Sequence, residues 1–419
     1  MQIERIGDGG TPAEVLRELS RCAARRGEDP PAALIGDWFG SRAVLAPTVR
    51  TTAVEPARAF DLTSHHAKPV DPAAGDGTIG GGWIGYRSYP DRPAGAPGLT
   101  LPEAAGGWTD SVLRQDTDGC WWYESFTDDP CPPHWSAAVT RLRTVARPWH
   151  IDWTPPDRAA HRYGVEQCLE AIRQGEVYQA CVCTHFLGRA HGDPLDFFAD
   201  AVEATRPARA AFVAGEWGAV ASLSPELYLA RDGDRVTSSP IKGTLPISGD
   251  PELLRASTKD VAENVMIVDL VRNDLGRLAR PGSVRVTDLL GVYPAPGVWH
   301  LVSTVEATVP VSTTTADLFE ASFPPASVTG CPKHRARQLL SEWEPSSRGV
   351  YCGTVGFTAP RAGTELNVAI RTVEFDPHGG ARLGVGGGIT IDSDPDAEWQ
   401  ECLDKAASIL SLGLPTTRF

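Results

Sequence analysis

Apolar positions in residues 159–174 recur at helical spacing. Val165, Leu169 and Ile172 fall on one face, and Gly175 supplies a stop. The next stretch, VYQACVCTHFLG, reads as a strand, and LDFFADAVEAT as a helix. AAFVAG, AVASLS and ELYLARDGDRVTSSP read as strands, with Asp232-Gly233 as a hairpin turn. A long helix is predicted over roughly 258–275 and a shorter one after Pro332. VYCGTVGFTA and LNVAIRTVEF predict two more strands ahead of ARLGVGGGITI. A last helix is predicted from about Pro395 to Leu412. Adjacent strands with hairpin turns, interrupted by helices, argue for an α+β fold with mostly antiparallel sheet.

Upstream the pattern is shorter-ranged, with β-like runs and Gly/Pro turns such as GGGWIGYRSYP. Residues 127–158 are rich in Pro and Trp. They read as a crossing segment rather than a loose linker, because tryptophan seeks burial. Two regions are therefore expected, a β-rich one over 1–150 and a larger catalytic one over 156–413. No internal repeat or low-complexity tract is visible.

The 419 residues suffice for a large buried core. Acidic residues number 53 against 39 basic, a formal charge of −14, which disfavours nucleic acid as a partner. No apolar run is long enough for a membrane span, and MQIERIGDGG lacks a signal-peptide layout. Nine cysteines without a C-x-x-C pair suit reduced thiols in the cytoplasm better than structural zinc.

Four segments carry candidate chemistry. In SSPIKGT, Lys242 ends a strand beside glycine; apolar walls would ease its deprotonation toward a nucleophile or base, although taken alone the segment favours an exposed turn lysine. On the helix KDVAENVMIVD, Glu263, Ile267, Leu270 and Asp274 share a face. In SVTGCPK, Thr329 or Gly330 can cap the following helix, whose N–H groups with Lys333 would hold a carboxylate. The run Gly384-Val385-Gly386-Gly387-Gly388 allows close approach of a ligand to the main chain, and lacks nucleotide-binding spacing. The helix beyond it carries Glu398 and Glu401 on one face. With Glu263 they could make an oxygen site suited to Mg²⁺, while a Glu401–Lys405 surface pair explains the spacing as well.

Taken in order, GEVYQ, SPELYL, PIKGTLP, AENVMIVDLVRND, SVTGCPKHRA, RGVYCGTVGF, AIRT and GGGITIDSDPDAEWQECLDKA resemble the chorismate-utilising enzymes. That family includes the anthranilate, aminodeoxychorismate, isochorismate and salicylate synthases. The resemblance spans roughly 156–412, and GGWIGYRSYPD is similar to the family's N-terminal region. It implies large, mostly antiparallel sheets forming a sandwich flanked by helices, with the N-terminal β-rich region packed on the C-terminal one. PIKGT, with its lysine, resembles the aminodeoxychorismate synthases, whereas anthranilate synthases usually carry alanine there.

The resemblance further implies that Lys242 attacks C2 of chorismate as the C4 hydroxyl leaves, and that ammonia then adds at C4. Glu226 matches the acid/base glutamate. Glu263 and Glu401, with Glu398 close by, match the Mg²⁺ ligands. Arg371 and the main chain of Gly386, Gly387 and Gly388 match carboxylate binders. His300, Thr329, Tyr351 and Lys405 match further pocket positions. Cys181 and Cys331 depart from the Asn and Ala common in the family. Ammonia would come from a separate glutamine amidotransferase subunit, and the product would serve p-aminobenzoate formation for folate or a secondary metabolite. Alternatives are anthranilate or isochorismate-type chemistry and a non-catalytic regulatory homologue.

Overall fold

The computed structural model describes residues 1–62, 77–91, 101–141 and 146–412. The expected boundary at 413 and residues 142–145 of the crossing segment lie outside them. Every strand pairing in the described residues is antiparallel, within two sheets of 12 and 10 strands.

The first sheet runs in the order Gln2–Gly7, Trp121–Ser125, Ser111–Gln115, Ser41–Ala46, Ala32–Trp38, Arg209–Gly215, Gly218–Ser224, Thr372–Phe375, Gly380–Ile389, Gln179–His191 and Gly330–Cys331. His150–Thr154 pairs with Gln179–His191. The second runs from Ile241–Pro246 through Val298–Thr308, Arg235–Ser239, Leu227–Asp232, Gly363–Asn367, Thr354–Ala359, Gly82–Arg87 and Ala104–Thr109 to Thr52–Ala53. Arg285–Ala295 pairs with Val298–Thr308. Strands from the first 150 residues thus continue both sheets edge to edge, beyond packing on the C-terminal region.

Alternation along the strands separates the cores. In Ala32–Trp38, Ala33 and Ile35 face one apolar cluster while Ala32 and Leu34 face another. In Arg209–Gly215, Ala210 and Phe212 join the first, and Ala211 and Val213 the second. The first cluster lies under helices Pro12–Arg26, Pro194–Thr205 and Pro395–Leu410; the second fills the space between the sheets with Tyr86, Val355 and Phe357. A third packs helix Thr258–Gly276 on the second sheet through Ile267, Val271 and Leu275. The result is a sandwich with helices on its outer faces.

The helix predicted over 159–174 spans Arg158–Arg173, capped by the Asp157 carboxylate and stopped at Gly175, whose φ is 76°. The one predicted over 258–275 spans Thr258–Gly276, capped by Ser257. The hairpin near Asp232 turns through Gly233 and Asp234, one residue later than predicted. The crossing segment contains helix Pro133–Thr140 and strand His150–Thr154, and Trp135, Trp149 and Trp153 pack on the first cluster. Helix Pro12–Arg26 carries a capping box, Thr11 with Glu14, that the reading of the N-terminal region as β-like missed.

Candidate active site

Two crossings between the sheets build the site. Strand Gly218–Ser224 lies in the first sheet and Leu227–Asp232 in the second, so Pro225-Glu226 bridges the gap. The run LNVAIRTVEF, read as one strand, is two. Gly363–Asn367 lies in the second sheet and Thr372–Phe375 in the first, with Arg371 at φ 50° in the break. A cavity of about 650 Å³ opens between the sheets there. The first sheet contributes Cys181, Cys183 and Gly384–Gly388, and the second Lys242, Thr244 and His300. The two flanking helices add Glu263, Glu401 and Lys405.

Lys242 is set by a bulge. Ile241 pairs with Val302 and Thr244 with His300, leaving one extra residue around Lys242 and Gly243, whose φ is 91°. A bulge re-aims a side chain; Lys242 therefore sits within a strand rather than at its end. Its Nζ lies 4.0 Å from Glu263 Oε2, and a Cβ on Gly388 would come within 3.3 Å of it. Burial pulls the ammonium down, but Cys181, Glu263, Glu226 and Glu401 outweigh it and hold the pKa above its ordinary value. The expectation of an easily deprotonated lysine among apolar walls is thus reversed: its walls are acidic.

Burial raises Glu226 to about 7, against the opposing pull of Ser327 and Lys242. His300 shares its Nδ1 with Thr244 Oγ1 at 3.0 Å and has no partner for Nε2. Burial, with Arg371 adding, lowers it to about 4, so the ring is neutral near pH 7. Arg371 is half-buried, and among the described residues its guanidinium makes no ion pair or side-chain hydrogen bond. A desolvated guanidinium without an anion is a ready receptor for a carboxylate. Past Leu383, strand Gly380–Ile389 keeps one strand neighbour, with Cys183 opposite Gly386 and Cys181 opposite Gly388. Tyr351 packs where Gly384 would carry a side chain.

The acidic corner suits a hard divalent cation. Glu263 Oε1 and Glu398 Oε2 are buried without hydrogen-bond partners. A Cβ on Gly387 would lie 2.9 Å from Glu398 Oε2 and 3.8 Å from Glu401 Oε1. The three carboxylates are not gathered: among the described residues they do not bring one oxygen each within 4.8 Å of one another. Lys259 stands between them, its Nζ 3.4 Å from Glu398 and 3.9 Å from Glu263. The sequence reading gave Lys259 no role, although its i,i+4 spacing to Glu263 was visible. Lys405 holds Gly386 O at 2.8 Å and Glu401 at 2.7 Å.

Two expectations fail here. Thr329 does not line the cavity and does not cap the helix that follows; its hydroxyl donates to Pro325 O, and its carbonyl accepts from Cys181 N. Helix Lys333–Trp343 starts after Pro332 with no side-chain cap, because Gly330 and Cys331 are drawn into a short strand against Gln179–Ala180. Lys333 holds no carboxylate ligand either: its Nζ is tied to Asp274 at 2.6 Å and Ser322 O at 2.8 Å. Arg348, also missed, is fully buried and joins Glu344, Val328 O and Cys181 O, fixing the wall behind Cys181.

Residues 48–411 match the chorismate binding enzyme family, and the chain belongs to it. Aminodeoxychorismate synthase component 1 of Klebsiella aerogenes is 37% identical over 348 residues, covering 78% of this chain and 76% of that protein. The Escherichia coli (strain K12) protein of the same name is 40% identical over 274 residues, 64% of this chain and 60% of its own length. Anthranilate synthase component I from Streptococcus pneumoniae, a solved structure, superposes with TM-score 0.70 at 24% identity, covering 91% of this chain and 90% of that one, which shows the shared fold.

Proposed function

We propose that the chain is the chorismate-aminating component of an aminodeoxychorismate synthase, forming 4-amino-4-deoxychorismate. The observation that carries this reading is Lys242 on its bulge in one cavity with Glu226 and the unpaired Arg371. Relatives named for this activity support it.

Arg371 receives one chorismate carboxylate, helped by main-chain groups of Gly386–Gly388. Glu263, Glu401 and Glu398 would hold Mg²⁺, which supplies positive charge for the other carboxylate. Lys242 acts as the free amine, its ammonium proton having passed to solvent water. Its free amine bonds to C2, the ring electrons shift, and the C4–O bond breaks. Glu226, near half-protonated at neutral pH, gives the departing oxygen its proton so that water leaves. Ammonia then bonds to C4, the electrons shift back, and the C2–N bond to Lys242 breaks. Glu226 takes up the proton shed by the new amine. Splitting one displacement into two lets the lysine direct nitrogen to C4. His300 Nε2, neutral and unpartnered, is placed to bond a substrate oxygen.

A glutamine amidotransferase subunit as the ammonia source, p-aminobenzoate formation as the purpose, and a cytoplasmic location belong to the same proposal. Among the described residues no helix is long and apolar enough to cross a membrane. The test is product identification with chorismate, Mg²⁺ and ammonium, then with glutamine and an added amidotransferase. Aminodeoxychorismate supports the reading. Anthranilate or isochorismate as the main product refutes it, and chorismate binding without turnover points to a regulatory homologue.

A further inference from the structure

Strand His150–Thr154 lies on the outer edge of Gln179–His191. Ile151 and Trp153 pack on the first core cluster, so alternation turns His150 and Asp152 to solvent. The register sets His150 directly opposite His191 on that face. The imidazole centroids are 4.3 Å apart with planes 10° apart. Asp152 Oδ2 lies 3.8 Å from His150 Nε2 and 3.4 Å from His191 Nε2. One potential ligand atom from each residue falls within 4.8 Å of the others.

These separations exceed a hydrogen bond, whose N···O distance is about 2.7–3.2 Å. They approach the spacing of ligands around one ion: bonds of about 2.0–2.2 Å in a tetrahedron put donor atoms roughly 3.3 Å apart. Arg189, opposite Asp152 in register, makes no ion pair with it among the described residues, which leaves the carboxylate to the histidines. The side chains are 58%, 71% and 48% exposed, so small rotations that converge the three donors meet little resistance.

We infer that His150, Asp152 and His191 form a surface site for a divalent transition metal of the zinc or nickel type. Two imidazole nitrogens and one carboxylate suit such ions, whereas Mg²⁺ prefers oxygen ligands. Water fills the remaining positions. The ion joins an edge strand to its neighbour, at the far end of the strand whose start lines the cavity. Ten residues of strand separate His191 from Cys181, about 33 Å, so the site is independent of the acidic corner there.

The test is calorimetric titration of the untagged full chain with Ni²⁺ and Zn²⁺ in buffer containing excess Mg²⁺. The unfolding temperature is followed in parallel. The nine cysteines can also bind these ions, so His150→Ala and His191→Ala are titrated alongside. One equivalent is expected in the unaltered chain, weakened about tenfold or more in each variant. A metal-induced rise in unfolding temperature should be lost in both, with the amination rate unchanged. Equal binding by the chain and both variants, or displacement of the ion by millimolar Mg²⁺, overturns the assignment. Failure of the amination assay would leave this result untouched, since the two sites share no residue.

Discussion

Two buried carboxylates, one on the N-terminal half of the first sheet and one on the helix that follows its glycine strand, behave differently. Glu124, in the N-terminal half, is fully buried and satisfied by Arg114 Nε at 2.5 Å, Ile79 N at 2.6 Å and Gly80 N at 3.2 Å. Glu398, beside the glycine strand, is 3% exposed and keeps Oε2 unpartnered. Glu263, on the facing helix, likewise leaves Oε1 bare. A buried charge completed by its own chain holds a fold together; one left incomplete awaits an ion or ligand. The N-terminal half is therefore scaffold continuous with the sheet, and among the described residues the C-terminal half carries the buried carboxylate oxygens without partners.

The contrast is sharpest at Lys242. Lys242→Ala should lower C4 amination by about 10³-fold or more, read by chromatography of the product. Persistent aminodeoxychorismate formation would remove the covalent role. The carboxylates should separate next. Glu124→Ala is expected to destabilise folding by about 3 kcal/mol, by stranding Arg114, in denaturant unfolding. Glu263→Gln should leave the unfolding midpoint in place while weakening Mg²⁺ binding and activity. If both variants lose stability alike, the division into scaffold and site fails.

Arg371→Gln follows, with a loss of about 2 kcal/mol appearing mainly as a roughly thirtyfold higher KM for chorismate. Activity should also fall as pH rises through about 7, because Glu226 must be protonated to act as the acid and burial has raised its pKa to that point. In Glu226→Gln that alkaline limb should vanish from the kcat profile. The smallest effect is expected at Lys259, which is half exposed. Lys259→Met should tighten Mg²⁺ binding by about two- to threefold, because the ammonium no longer competes for Glu263 and Glu398. Unchanged affinity would mean that Lys259 moves aside without cost.

Helix positions were legible over 159–174 and 258–275, and the caps the structure shows at Asp157 and Ser257 agree with those starts. The glycine run was legible as a place of close approach, and Gly384, Gly387 and Gly388 each face a side chain of the site. Thr329 and Lys333 were misplaced because a cap-like motif also suits a strand and a buried ion pair, and local spacing cannot separate these. Helix Pro12–Arg26 was missed although Thr11 and Glu14 announce it.

The order of elements, their apolar faces and the identities of the charged residues were determined along the chain, since periodicity and capping are local. Only the tertiary structure decided which charges meet. It broke LNVAIRTVEF between two sheets and so placed Arg371 in the cleft. It bulged the strand at Lys242 and surrounded that lysine with carboxylates. The ionisation of a buried group depends on distances across the sandwich, between residues as far apart in the chain as Glu226 and Glu401. No local pattern encodes those distances.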